Sequence, residues 1–471
     1  MNSYQSIRDK INFFIKSLNR VESLLSCPNS TFYRLFILIA GNNFTAHTDS
    51  EINFFSKKYD ISQQLFSTYD DNGRALSKEP LCTEGLQVFA SLLYLRVLMS
   101  VNQGASEVDR AKYINVCWKA FSNIPLPEFL DTAPINLKIL QRDLLNDLPA
   151  KSLINKRLIN HFEESIPQIS GEGFRIVPID VLFYEGPIAR AYLEMLHSLR
   201  CKPRRIIHLV AENNLITKKK VGSFLPLFLR YKYAATVQSR QIHHWPQYLF
   251  RTEKKLCIQV FSQLQQALKI KTGTILGSLK LRSLNHYADN IITCPITSLK
   301  DPRFLDFIKQ QDASNYLFTG GGILPQDFFD LKKAKFIHIH PGYLPDIRGA
   351  DCLLWSMMFS DYPSASCFFL DSGIDTGNVI NATFLSKITL PPAVALLNLK
   401  MSYRLLYSFI DPWVRAANLR DTLINTNYFE KITSYPQCKS EGHNFHFMHE
   451  KLKKDVIKKI TNNDDINYKT L

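Results

Sequence analysis

The strongest constraint on what this chain can fold into is an alternation that begins at Phe174. Phe174–Tyr184 (FRIVPIDVLFY) is rich in β-branched and aromatic residues, the composition of a strand buried on both faces. Glu185-Gly186-Pro187 then turns the chain, Ile188–Leu199 has amphipathic helical spacing, and Arg205–Val210 (RIIHLV) is a second buried strand. Strand, turn, helix and strand in that order form a βαβ unit, so a doubly wound parallel sheet starts here. The turn holds the single Gly186 rather than GxGxxG, which predicts a tight turn and not a dinucleotide site. Residues 218–272 read as mixed helix and loop, and Asn290–Thr293 ahead of Pro295 as a short strand end. Asp301 with Pro302 is a helix start, predicting a helix over Asp301–Gln310. Strand Tyr316–Phe318, helix Pro325–Leu331, strand Lys335–His340 and strand Ala365–Leu370 follow.

The flanks differ from this middle. Residues 1–170 carry apolar residues at three and four spacing over Ile7–Leu25, Thr83–Val101 and Leu137–Phe162, predicting a helical N-terminal domain. No catalytic constellation stands out there, so an interaction or lid domain, able to hold a protein partner, is the expectation. Residues 391–471 read as a mostly helical extension, including Ala393–Leu406, Asp411–Leu419 and the basic Lys451–Lys459, with a short strand near His443–His449. Residues 1–150 hold 15 basic and 15 acidic residues, so the whole net charge of +15 lies beyond them. A basic half suits either an anionic ligand or a solvated charged surface. Nine cysteines without CxxC pairs predict free thiols in a reducing compartment, hence a cytoplasmic protein. No stretch reads as a signal peptide or a membrane span.

Polar residues able to move protons gather between Tyr316 and Ile380, at the ends of apolar runs. In an extended strand, residues two apart share a face, so His338 and His340 point the same way at a carboxyl end, where open α/β sheets place their chemistry. Pro341-Gly342 and Leu344-Pro345 break the chain into an irregular loop. Asp375 sits in a Gly-Ile-Asp-Thr-Gly turn after the Ala365–Leu370 run. A carboxylate beside an imidazole orients it and favours its cation, making an acid–base pair. His-x-His also suits a metal, but Pro341-Gly342-Tyr343 breaks the His-x-His-x-Asp-His pattern, and metal is the weaker reading.

The elements His338-Ile339-His340-Pro341-Gly342, Leu344-Pro345-Asp346-Ile347-Arg348-Gly349, Trp355 and Asp375-Thr376-Gly377 occur in one order and spacing. In these the chain resembles the 10-formyltetrahydrofolate-dependent formyltransferase family. The resemblance implies an α/β, Rossmann-like parallel-sheet formyltransferase domain over residues 174–390, preceded by the helical domain. It implies a catalytic His340 that assists proton removal from an attacking amine, and an Asp375 that orients and tunes it. His338 stands where the family has an Asn that polarises the formyl carbonyl, and Gly342 where it usually has a Ser, a change expected to affect loop shape only. His338 leaves three outcomes open: transfer with altered pH behaviour, hydrolysis, or folate binding without turnover. Backbone around Gly320, Gly321, Gly322, Ile323 and Leu324, and around Gly373 and Ile374, would wall the pterin pocket. The implied formyl donor is 10-formyltetrahydrofolate. A small anionic amine is the expected acceptor, since the last eighty residues are too short and helical for the β-barrel with which methionyl-tRNA formyltransferases hold tRNA.

Overall fold

The structure, a computed structural model, describes residues 173–437 and 442–461. The helices expected at 7–25, 83–101 and 137–162, and the N-terminal domain they would form, lie outside the described residues. The chain divides into two compact units, and residues 154–445 and 453–464 make up the one described below.

The strands, in chain order, are β1 (Arg175–Tyr184), β2 (Cys201–Ala211), β3 (Ile291–Ile296), β4 (Ser314–Phe318) and β5 (Ala334–His340). They continue with β6 (Ile347–Gly349), β7 (Ser364–Phe369), β8 (Val379–Phe384) and β9 (His443–Phe445). Seven of them form one sheet in the order β3-β2-β1-β4-β5-β7-β8, while β6 and β9 pair in a separate parallel ribbon. The five strands from β3 to β5 are mutually parallel, as the βαβ alternation predicts. β7 and β8 instead run antiparallel to their neighbours, which corrects the all-parallel expectation to a mixed sheet. The reason lies in residues 341–363, which form an irregular loop, β6 and one short helix. Ser366 of β7 then pairs beside His340, at the end where β5 finished, so β7 runs back. Pro295 does not end β3 as expected. The strand is at the sheet edge, where a missing N–H breaks no ladder.

The helices begin with α1 (Pro187–Ser198), α2 (Leu227–Ile242), α3 (His244–Thr252), α4 (Lys254–Leu268), α5 (Thr272–Leu279) and α6 (Pro302–Gln310). After them come α7 (Gln326–Phe329), α8 (Cys352–Ser360), α9 (Ala393–Leu396), α10 (Leu399–Leu405), α11 (Asp411–Asn425) and α12 (Glu450–Ile460). Asp301 caps α6 as predicted, its side chain accepting from Arg303 N, with Pro302 in the first turn. α8 is apolar nearly all round (CLLWSMMFS) and every residue in it is buried, as such a helix must be. α11 lies past residue 390, yet it packs on α1 and on β5, β7 and β8, burying Trp413, Val414, Ala417 and Leu419. A π turn at Leu406–Ile410 joins α10 to α11. On the sheet's β3–β5 portion, Tyr316, Phe318, Phe328 and Phe336 form a buried aromatic core with Phe304 and Leu324. Among the described residues no helix is long and apolar enough to cross a membrane.

The chain leaves β1 toward β2 and β3, and later returns on β1's other side with β4 and β5. The strand order therefore reverses between β1 and β4, the kind of switch point beyond whose carboxyl ends open α/β sheets place their ligands. Glu185-Gly186 leaves β1 there, and Thr319-Gly320-Gly321-Gly322 leaves β4.

Candidate active site

β5 carries both histidines. It pairs with β7 so that His338 faces Phe368 and His340 faces Ser366 in register. The His340 ring is buried, with Nε2 2.9 Å from the Ile347 carbonyl oxygen and Nδ1 3.3 Å from Asp375 Oδ2. Asp375 reaches it from the turn between β7 and β8, where its own backbone is left-handed (φ 55°), a conformation Asp tolerates better than most residues. Gly349 N–H donates to the same Oδ2 at 2.9 Å. The turn is held from behind by Gln437, whose Nε2 donates to the carbonyls of Asp375 (3.0 Å) and Gly377 (2.6 Å). Gln437 Oε1 in turn accepts from Arg348 Nε and Nη2. The loop after β5 is pinned by Ser366, whose hydroxyl donates to Gly342 O at 2.7 Å and accepts from Leu344 N at 2.9 Å.

Gly342 does more than shape this loop. A Cβ built there would lie 2.7 Å from His340 Nε2 and 2.6 Å from Ile347 O, inside their van der Waals contact. The ring can meet Ile347 only because residue 342 has no side chain.

The two imidazoles are in different electrical situations. Both partners of His340 are acceptors, so the ring satisfies both only as the doubly protonated cation. Burial pushes its pKa down, and Asp375 and the Ile347 carbonyl oppose that push. His338 is pushed down to about 4, by burial first and by the charge of Arg415 second. It is therefore neutral near pH 7. Its Nδ1 lies 3.2 Å from Phe318 O, a carbonyl that can only accept, so Nδ1 carries the proton and Nε2 a lone pair. That lone pair faces Arg415 Nη1 at 3.5 Å, too long for a strong hydrogen bond but close enough for charge to act.

Arg415 and Asp411, on the first turn of α11, complete the group. Arg415 Nη1 donates to Ile339 O at 2.7 Å and its Nε to Asp411 Oδ2 at 3.0 Å. Asp411 is 1% exposed, and among the described residues its Oδ1 has no hydrogen-bond partner. Burial raises the Asp411 pKa, against the pull of Arg415.

The residues expected to wall a pocket lie in the segments that follow β4 and β7. Thr319 Oγ1 donates to Leu182 O and receives Tyr184 N–H, tying the exit of β4 to that of β1. Gly320 is pressed against the Phe318 ring and Gly322 has φ 112°, so both need glycine. Ile323 (69%) and Ile374 (53%) stand exposed, which is unusual for isoleucine and leaves flat apolar surface at the rim. Leu324 is buried in the aromatic core, so only its backbone is available to a ligand. Gly373 N–H donates to Asp371 Oδ1, which also accepts from Thr376 Oγ1, closing the turn ahead of Asp375. The structure thus gathers His338, His340 and Asp375 at one strand end. It adds Arg415, Asp411 and Gln437, which sequence reasoning missed. The Asp411/Arg415 spacing of four at a Pro-marked helix start was a readable signal; nothing marked Gln437.

No protein-family model matches the chain. The methionyl-tRNA formyltransferase of Francisella philomiragia is 30% identical to it over 95 residues, 20% of this chain and 30% of that protein. The chain thus spans under a third of the length of this curated relative. Among solved structures, the formyltransferase PseJ from Anoxybacillus kamchatkensis is similar at 20% identity, over 33% of this chain and 75% of that one, with a TM-score of 0.24. A 4-N formyltransferase from Francisella tularensis is similar at 13% identity, over 61% of this chain and 88% of that one, with a TM-score of 0.29. Over about a fifth of its length, then, this chain is similar to a methionyl-tRNA formyltransferase.

Proposed function

We propose that this protein transfers a formyl group from 10-formyltetrahydrofolate to a primary amine on a small, anionic acceptor. The observation that carries the reading is the His340–Asp375 pair, 3.3 Å apart at the carboxyl end of β5. In the neutral ring, Nε2–H is committed to Ile347 O and the Nδ1 lone pair faces Asp375. A proton arriving at Nδ1 turns that unfavourable contact into an ion pair. Asp375 is the more open of the two, its side chain 16% exposed against 4% for His340. The amine's proton therefore passes to Asp375 Oδ2 and on to His340 Nδ1. The residues after β4 and β7 fit a formyl-folate as substrate: glycines that admit close backbone approach, and the exposed Ile323 and Ile374 against a flat ring. The surplus positive charge beyond residue 150 favours an anionic acceptor.

The test is to incubate the protein with 10-formyltetrahydrofolate, with and without candidate amines, and to follow tetrahydrofolate release. Amine-dependent release is expected. Release that ignores the amine points to hydrolysis instead, and binding without turnover removes both enzymatic readings. His340→Ala should lower turnover by at least about a hundredfold, the usual scale for losing a positioned acid–base group.

A further inference from the structure

The site holds a cation that the His340–Asp375 pair does not use. Formyl transfer builds negative charge on the formyl oxygen, and such sites stabilise it with fixed donors. His338 occupies the position expected to do this, yet its N–H is committed to Phe318 O and its other nitrogen presents only a lone pair, turned toward Arg415 Nη1. A lone pair repels an oxyanion. The guanidinium 3.5 Å beyond it has the opposite character.

Arg415 is held as such a group should be. One side of its planar fork is fixed by Asp411 Oδ2 and Ile339 O, the carbonyl between the two histidines. The buried Tyr192 side chain also interacts with the guanidinium, and the Arg415 side chain keeps 11% of its surface open. A buried carboxylate tied to one nitrogen fixes the orientation of the other two, so the cation need not reorganise when charge develops. The π turn at Leu406–Ile410 sits immediately before Asp411, and such turns recur where a helix must present a side chain to a site.

We propose that Arg415 is the oxyanion-stabilising group of this site, taking the role the motif assigns to residue 338, with Asp411 as its positioning residue. This rests on the formyl-transfer reading. The amine nitrogen bonds to the formyl carbon, and the carbonyl electron pair moves to oxygen beside the Arg415 fork. Collapse re-forms the carbonyl and breaks the bond to the folate nitrogen, which leaves with a proton. The amine gives up one proton through Asp375 and His340, so protons and electrons balance.

The experiment compares wild type with Asp411→Asn/Arg415→Gln by tetrahydrofolate release at saturating amine, alongside thermal melting. The double change removes both charges, so no buried carboxylate is left unpaired. The expected result is a fall in kcat of about a hundred- to a thousandfold, with KM for the folate within about threefold and melting preserved. A purely structural Arg415 would move melting and leave kcat of the folded protein alone. If the double variant does not fold, Arg415→Lys decides, because it keeps a cation beside Asp411 but loses the planar fork: melting should stay near wild type while kcat falls at least about tenfold, and an unchanged kcat overturns the role. Equal kcat in folded wild type and double variant overturns Arg415 while formyl transfer stands. A wild type that releases no tetrahydrofolate overturns the formyl-transfer reading itself.

Discussion

At the scale of single residues, the site turns on which atoms of two rings carry protons. His338 is neutral with its lone pair toward Arg415, so His338→Asn exchanges a repulsive acceptor for an amide that can donate. kcat is expected to rise, by up to about tenfold; a fall beyond a hundredfold would mean His338 itself performs the step. The His338 ring should titrate near pH 4 by NMR and shift upward in Arg415→Gln, which removes the second-largest cause of its depression. Gly342→Ser would install the residue the family resemblance leads one to expect, yet here it collides with His340 Nε2 and Ile347 O. It should lower kcat more than tenfold and cost roughly 1–3 kcal/mol in stability, read by thermal melting, as overpacking does. His340 and Asp375 could be read from their neighbours in the chain. The Gly342 constraint could not, because it depends on how a ring is turned against a carbonyl seven residues from it.

At the scale of elements, strand and helix period carried much of the reading. β1, α1, α6, β4 and β5 lie where the apolar runs and the Asp301-Pro302 signal place them. The reversal at β7 was not readable, since a buried strand has the same composition in either direction. Nor was the packing of α11 on the sheet, which decides where Arg415 goes. The exit of β1 supplies a separate test. Glu185 accepts from Arg190 Nε (2.9 Å) and Nη2 (2.6 Å), from Gly186 N and from His243 Nε2 (2.9 Å), all in the interior. Burial alone would raise its pKa, but the hydrogen bonds from His243 and Arg190 outweigh it and bring it down to about 2. A folded-state value below the unfolded one gives stability that is complete above about pH 4.5 and is lost as pH falls toward 2. Glu185→Gln should therefore cost on the order of 3 kcal/mol at pH 7, with the difference from wild type shrinking through that acid window in urea melts.

At the scale of the whole molecule, charge is distributed unevenly along the chain, neutral over residues 1–150 and strongly positive after. If that surplus draws in an anionic acceptor, KM for such an amine should rise several-fold between about 0.05 and 0.5 M salt, as the Debye length shrinks. KM for an uncharged amine should stay flat, and parallel rises for both would assign the charge to solubility instead. The Gln437 clamp has a different kind of consequence. The groups that form the site come from residues near 320, 340, 375, 415 and 437, and the last of these holds the Asp375 turn in place. A ribosome making this chain finishes both histidines about a hundred residues before it reaches that glutamine. The acid–base pair is therefore written early and assembled late, and a nascent chain stopped short of Gln437 would carry the motif without a fixed partner for its histidine.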